Sequence, residues 1–197
     1  MQPDAGGPSD VLLERARRGD ARAFEELAHQ IERPLYRHAA RMLGKDDAED
    51  AVQDALLSAW KSLGSFEGTS FRAWVFRIVT NRALDRLRSR RRHPELPLDP
   101  PADETDEVGW AEPAAAGPDL AEIASDREAM RVVEEAMTAL PAEQRVVLLL
   151  RDVEGFAYEE IATMTSTEIG TVKSRIHRGR VAVRNILVSR GWKGPAG

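Results

Sequence analysis

The residues best suited to chemistry lie near the C-terminus. From Thr171 to Lys193 there are seven basic residues (Lys173, Arg175, Arg178, Arg180, Arg184, Arg190 and Lys193) and no acid. On a helix, Ile169, Val172, Ile176 and Val183 fall on one side, while Thr167, Thr171, Ser174 and Arg178 fall nearly opposite. Short hydroxyl groups beside arginine suit a DNA major groove, where a guanidinium donates to guanine edges and neighbouring cations neutralise phosphates. A solvated basic face on a structural helix is the plainer alternative. The short helix expected at Tyr158 to Met164 and the turn through Thr165 and Ser166 favour the groove, because together they make a helix-turn-helix. The candidate contacts are Thr171, Lys173, Ser174, Arg175 and Arg178.

A second basic stretch, Phe71 to Arg92, carries eight arginines, Arg77 and Arg88 among them, against the single acid Asp85. Phe71, Trp74 and Phe76 are interleaved with them, and aromatic or guanidinium planes can stack unpaired bases. The aromatics stand at helical core spacing, so each taken singly suits packing better than a base platform. The loop Gly64 to Ser70, with Phe66 in it, is better placed to accept an extruded base. Both Arg77 and Arg88 suit phosphate contact.

On residues 47 to 63, the side away from the apolar stripe shows Asp50, Gln53, Asp54, Leu57 and Lys61. Leucine beside carboxylates fits a protein-docking face, and it fits an ordinary surface equally well.

Catalytic chemistry has little to stand on. The four histidines (His29, His38, His93 and His177) fall in four segments without metal-ligand spacing, and no convergent carboxylate cluster is visible, so neither a catalytic residue nor a metal or cofactor site is expected. Cysteine is absent, which excludes thiolate metal sites and a thiol switch in this chain and leaves any redox sensing to a partner. The longest dense apolar run, Val146 to Leu150, is far short of a bilayer span, and the N-terminus lacks the pattern of a secretory signal; no membrane insertion and a cytoplasmic location are expected.

Elements that could position these residues are helical throughout. Asp10 and Asp20 are placed to cap the first two helices, Pro34 to interrupt the second, and Asp46 with Glu49 to open residues 47 to 63 as a capping box. Ala48, Val52, Leu56, Ala59 and Leu63 then recur at three- and four-residue steps. Further on, a helix from about Leu120 reaches Leu140, Pro141 starts another that Gly155 ends, and the long helix runs from Thr167 to about Ser189. Charge divides the chain as well. Residues 93 to 124 hold nine acids and no Lys or Arg, so a chain of net charge −5 carries +4 outside them. Six prolines share that segment, which reads as a flexible linker. The expected fold is all-α, with two small helical domains at 10–92 and 119–190 joined by an acidic, Pro-rich linker at 93–118; the C-terminal domain is the helix-turn-helix.

Two longer motifs carry a family resemblance. Asp46-Asp47-Ala48-Glu49-Asp50-Ala51-Val52-Gln53-Asp54, then Ala59-Trp60 and Phe71-Arg72-Ala73-Trp74-Val75-Phe76-Arg77-Ile78-Val79-Thr80-Asn81, resembles the second domain of extracytoplasmic-function sigma factors. Leu140-Pro141-Ala142-Glu143-Gln144-Arg145, Tyr158-Glu159-Glu160-Ile161-Ala162 and Gly170-Thr171-Val172-Lys173-Ser174-Arg175 resemble their fourth. The resemblance implies a transcription initiation factor, not an enzyme, whose partners are the RNA polymerase core, promoter DNA and an anti-sigma factor. It assigns Asp50, Gln53, Asp54 and Leu57 to the polymerase, the 64 to 70 loop and Asn81 to an unpaired minus-ten base, and the helix from Thr167 to the minus-thirty-five element. Two positions depart from the family's pattern: Ala157 stands where Ser usually caps the first helix of the helix-turn-helix, and Thr165 stands in the turn where Gly or Asn is common. A stand-alone helix-turn-helix regulator is the alternative, and it leaves the Asp/Gln/Leu face and residues 71 to 92 without a role.

Overall fold

A computed structural model describes residues 8–68, 70–92 and 127–190. The expected linker at 93–118, the start of the helix expected from Leu120, and Lys193 lie outside the described residues. Among the described residues every regular element is helical, and they form two compact units. No helix among them is long and apolar enough to cross a membrane.

The first unit begins with α1 (Pro8–Arg17), α2 (Ala21–Leu43) and α3 (Lys45–Ser62), then a single 3₁₀ turn at Leu63–Ser65 and α4 (Phe71–Arg92) as far as Asp85. Asp20 caps α2 by accepting from the amides of Arg22 and Ala23 at 3.1 and 3.2 Å. The carboxylate also accepts from Arg15, and these contacts hold its pKa below the usual aspartate value. Asp10 lies inside the first turn of α1 and not ahead of it. Pro34 does not interrupt α2, contrary to the reading from sequence. Proline removes one amide donor and costs about 3 kcal/mol in a helix interior, but Phe24, Leu27, Ile31, Leu35, Ala39 and Met42 are buried on both sides of it, and that stripe outweighs the loss. The capping box at Asp46 is not formed either. Gly44, at φ 89°, both ends α2 and precedes Lys45, so α3 starts ahead of Asp46 and leaves it in the first turn. Ser70 caps α4, its hydroxyl accepting from the Ala73 amide at 3.1 Å.

The core of this unit is lined by Ala48, Ala51, Val52, Ala55 and Ala59 of α3 and by Phe71, Val75, Phe76, Val79, Ala83 and Leu84 of α4. Small residues along α3 let it lie close against α2, with which it makes its main packing. His38 is enclosed there. Its Nε2 lies 3.0 Å from the Thr80 hydroxyl, its ring meets Phe76 edge-on, and Nδ1 has no hydrogen-bond partner. Burial pushes its pKa down to about 3, with Arg41 and then Arg72 adding to the effect. The folded protein thus binds fewer protons than the unfolded chain, whose histidine titrates at 6.5. Stability is fully present above 6.5 and is lost as pH falls from there towards the folded value. Between pH 7 and 5.5, where carboxylates stay ionised, this unit should lose about 1 kcal/mol. Urea titrations at the two pH values check this, and a His38→Leu variant should lose the pH slope even if its absolute stability drops.

The second unit contains α5 (Arg127–Thr138), α6 (Ala142–Leu148) running into a π turn at Leu149–Val153, α7 (Tyr158–Thr165) and α8 (Ile169–Ser189). Pro141 precedes α6 by one residue, and its carbonyl accepts from the amides of Gln144 and Arg145. Val146 to Leu150, Ile161, Val172, Ile176, Val183 and Leu187 are buried together, so α8 packs against α6 and α5. Gly179 is the point of closest approach: a Cβ there would stand 2.8 Å from Leu148 Cδ1. The π turn presents Asp152 to α8. Its side chain is 2 % exposed and accepts from Arg180 Nε at 3.1 Å and Nη2 at 2.5 Å.

Candidate nucleic-acid interface

The helix-turn-helix forms where the sequence places it, with altered boundaries. α8 begins at Ile169, so Thr167 belongs to the turn, where its amide donates to the Ala162 carbonyl. Ile169, the first residue of α8, is exposed and not part of the core stripe. The strained residue of the turn is Ser166, at φ 53°, and not Thr165.

Ala157 has no side-chain oxygen to cap α7, yet half of a capping box is present: Glu160 Oε2 accepts from the Ala157 amide at 2.8 Å. The Ala157→Ser variant supplies the missing half and should stabilise the second unit by about 1 kcal/mol, read as a higher thermal midpoint. Arg151 donates to the Phe156 carbonyl at 2.9 Å and lies 4.7 Å from the Tyr158 ring centroid, which fixes the approach to α7.

On α8, Lys173 and Arg178 are exposed, and Thr171, Ser174 and Arg175 are half-buried. Ser174 Oγ donates to the Thr171 carbonyl at 2.9 Å and accepts from Arg178 Nη2 at 3.3 Å, so these residues form one polar strip opposite the core. Lys173 stands to one side, with Nζ 6.0 Å from the Tyr158 ring centroid. Among the described residues, two basic residues of this stretch are held by acids of their own unit. Arg180 is tied to Asp152, and Arg190 donates to Glu135 at 2.8 Å. The absence of acids within the 171 to 193 stretch could not reveal this, since both partners lie earlier in the chain.

On α4, Arg77, Asn81 and Arg88 share with Trp74 the side of the helix that faces away from its buried residues. Arg77 and Arg88 are exposed and Asn81 is half-buried. Phe66 does not project freely from its loop: it stacks on Trp74 at 4.4 Å between centroids, with planes 20° apart. Arg17 of α1 completes that group. Its guanidinium carbon lies 5.3 Å from the Phe66 centroid and its Nη2 donates to the Gly68 carbonyl at 3.2 Å. No spacing rule connects Arg17 to residues 49 and 51 positions away, so it goes unseen in the sequence.

On α3, Asp50, Gln53, Asp54 and Leu57 are all exposed on one side, Leu57 at 51 %. Gln53 donates to Glu49 at 3.4 Å, and Arg82 of α4 reaches Asp54 at 3.5 Å. Among the described residues no group of three or more His, Asp or Glu could hold a metal ion.

Residues 27–93 match the Sigma-70 region 2 family and residues 130–183 match Sigma-70, region 4. The chain is 34 % identical to the ECF RNA polymerase sigma-E factor of Escherichia coli (strain K12) over 177 residues, 89 % of this chain and 92 % of that one. It resembles the sigma factor RpoE solved with the anti-sigma factor NepR from Bartonella quintana, at TM-score 0.63 and 27 % identity over 84 % of this chain and 96 % of that one. It also resembles CnrH, solved with the cytosolic domain of CnrY, at TM-score 0.65 and 26 % identity over 92 % and 97 %. A stand-alone regulator would account for the second match and leave residues 27–93 unexplained. Both halves, in this order along nearly the whole length of a curated relative, place the chain in the extracytoplasmic-function family of RNA polymerase sigma factors, which direct promoter recognition and are not enzymes.

Proposed function

We propose that residues 10–92 form the polymerase-docking and minus-ten domain, residues 93–118 the linker, and residues 119–190 the minus-thirty-five domain. Asp50, Gln53, Asp54 and Leu57 meet the polymerase core. Phe66, Arg77, Asn81 and Arg88 line the path of the melted strand, with Asn81 and the 64 to 70 loop at an unpaired base. Thr171, Lys173, Ser174, Arg175 and Arg178 face the upstream duplex. The observation that carries this reading is the polar strip Thr171, Ser174 and Arg178 on the exposed side of the second helix of a helix-turn-helix. The protein acts in the cytoplasm, without a cofactor, and its activity is held back by an anti-sigma factor, a partner class named with the structural relative RpoE.

Run-off transcription with purified core polymerase is the direct test: transcripts from a cognate promoter should require both the chain and the core. Within that assay Arg178→Ala should change sequence preference at the upstream element, because its fork can donate to a base edge. Lys173→Ala should weaken use of all promoters alike and lower the salt slope of binding by about one. Equal, sequence-independent losses for both would remove Arg178 from base readout.

A further inference from the structure

The loop after α3 is held shut by contacts that its own sequence does not contain. Trp60, Phe24, Phe71, Trp74 and Phe66 form a run of ring contacts from inside the first unit out to the loop, with successive centroids 5.1, 5.9, 6.1 and 4.4 Å apart. The last contact is the flattest, a stacked pair at 20°, and it covers one face of Trp74. Gly68 makes room for it: a Cβ there would lie 2.5 Å from Phe66 Cε2 and 2.7 Å from Cζ, so only glycine lets the ring fold down over the backbone. Arg17 closes the arrangement from α1. It lies over Phe66, donates to the Gly68 carbonyl, and is steadied by Glu14, which accepts from Nη1 at 2.6 Å. Its Nε is buried without a partner, a cost that the other contacts of the side chain must offset.

We propose that Arg17 is a latch: it keeps Phe66 stacked on Trp74, so that an unpaired base reaches the Trp74 face only by exchanging with the protein's own ring. This rests on the reading above that α4 and its preceding loop receive a base of the melted strand. Stacking of a base on an aromatic ring is comparable to stacking of two aromatic rings, so the exchange is close to balanced and the Arg17 contacts set its direction. Apparent affinity for a single strand is the intrinsic affinity reduced by the fraction of open loops.

The test uses the full-length chain and single-stranded hexanucleotides of dA, dC or dT, with fluorescence anisotropy as the readout. Arg17→Lys keeps the charge and loses the planar fork, so affinity should rise about 3- to 10-fold for every oligonucleotide as the open fraction grows, with the order of base preference unchanged. Phe66→Ala should raise it at least as much. Affinity for a paired duplex of equal charge should not move. With 5-fluorotryptophan incorporated, the Trp74 resonance, assigned by its loss in Trp74→Phe, should shift in the same direction in both variants. Unchanged or weaker single-strand binding by Arg17→Lys, or a scrambled base preference, would overturn the latch and leave Arg17 a structural residue. If neither the wild type nor Phe66→Ala bound any single strand, and Trp74→Ala and Asn81→Ala left run-off transcription intact, the base-binding reading itself would fall.

Discussion

Replacing Asp152 by alanine should cost the second unit about 3 kcal/mol and, with it, use of the upstream promoter element. The carboxylate is almost wholly enclosed and receives both Nε and Nη2 of Arg180, so the pair is bidentate and strongly directional. Removing one member leaves the other desolvated without its countercharge, which ordinarily costs about 3 to 5 kcal/mol. The lower end applies because Arg180 keeps 20 % of its side chain exposed. For a unit of this size total stability is only about 3 to 9 kcal/mol, so the loss is a large fraction of it. Hydrogen exchange read at the amides of residues 142 to 189 reports this unit alone, and protection there should collapse while that of α2 and α3 stays. A double variant, Asp152→Leu with Arg180→Met, removes both charges and should recover much of the stability. If the single substitution left exchange unchanged, the Asp152–Arg180 pair would not be what holds this unit together.

The second large effect is expected on α3. Substituting Asp50, Gln53 and Leu57 together by alanine should weaken binding to core polymerase at least about 100-fold, since a few central residues carry most of an interface's energy. The helix should survive intact, because all three side chains are exposed and alanine is the best helix former. Asp54 is left in place because it faces Arg82 of α4, and its loss would disturb the joint between the two helices. Co-purification with core, beside a far-ultraviolet circular dichroism spectrum, decides the matter: undiminished co-purification with unchanged helicity would put the docking face elsewhere.

Periodicity made most of the architecture legible, because each amphipathic stripe points to its own core: of the α3 stripe Ala48, Val52, Ala59 and Leu63 are buried and Leu56 is half-buried, and the helical stretch of α4 and the burial of Val172, Ile176 and Val183 stand as read. Helix ends were less legible. Pro34, Asp46 and Thr167 each carry a valid local signal, yet tertiary burial around Pro34, a one-residue connection at Gly44 and the left-handed Ser166 decide the outcome. The candidate site divides along the same line. Ser174 and Arg178 fall together because they are one helical turn apart, whereas Arg17 and Phe66, or Asp152 and Arg180, meet only after the chain has folded back, and no local pattern records the meeting. His38 is the extreme case, an ordinary histidine in the sequence and a fully enclosed one in the fold.

Gly179 ties the shape of the core to the stance of the strip proposed to face DNA. It immediately follows Arg178, and it faces Leu148 so closely that even a methyl group would meet Cδ1 at 2.8 Å and Cγ at 3.1 Å. How far the polar strip stands proud of its domain is therefore set at this one crossing by a hydrogen atom where other residues carry carbon. Larger residues at 179 would press on the buried Leu148 and push the helix outward, and, on the reading proposed above, a graded series of them would amount to a series of insertion depths, altering promoter choice without touching a residue proposed to contact a base.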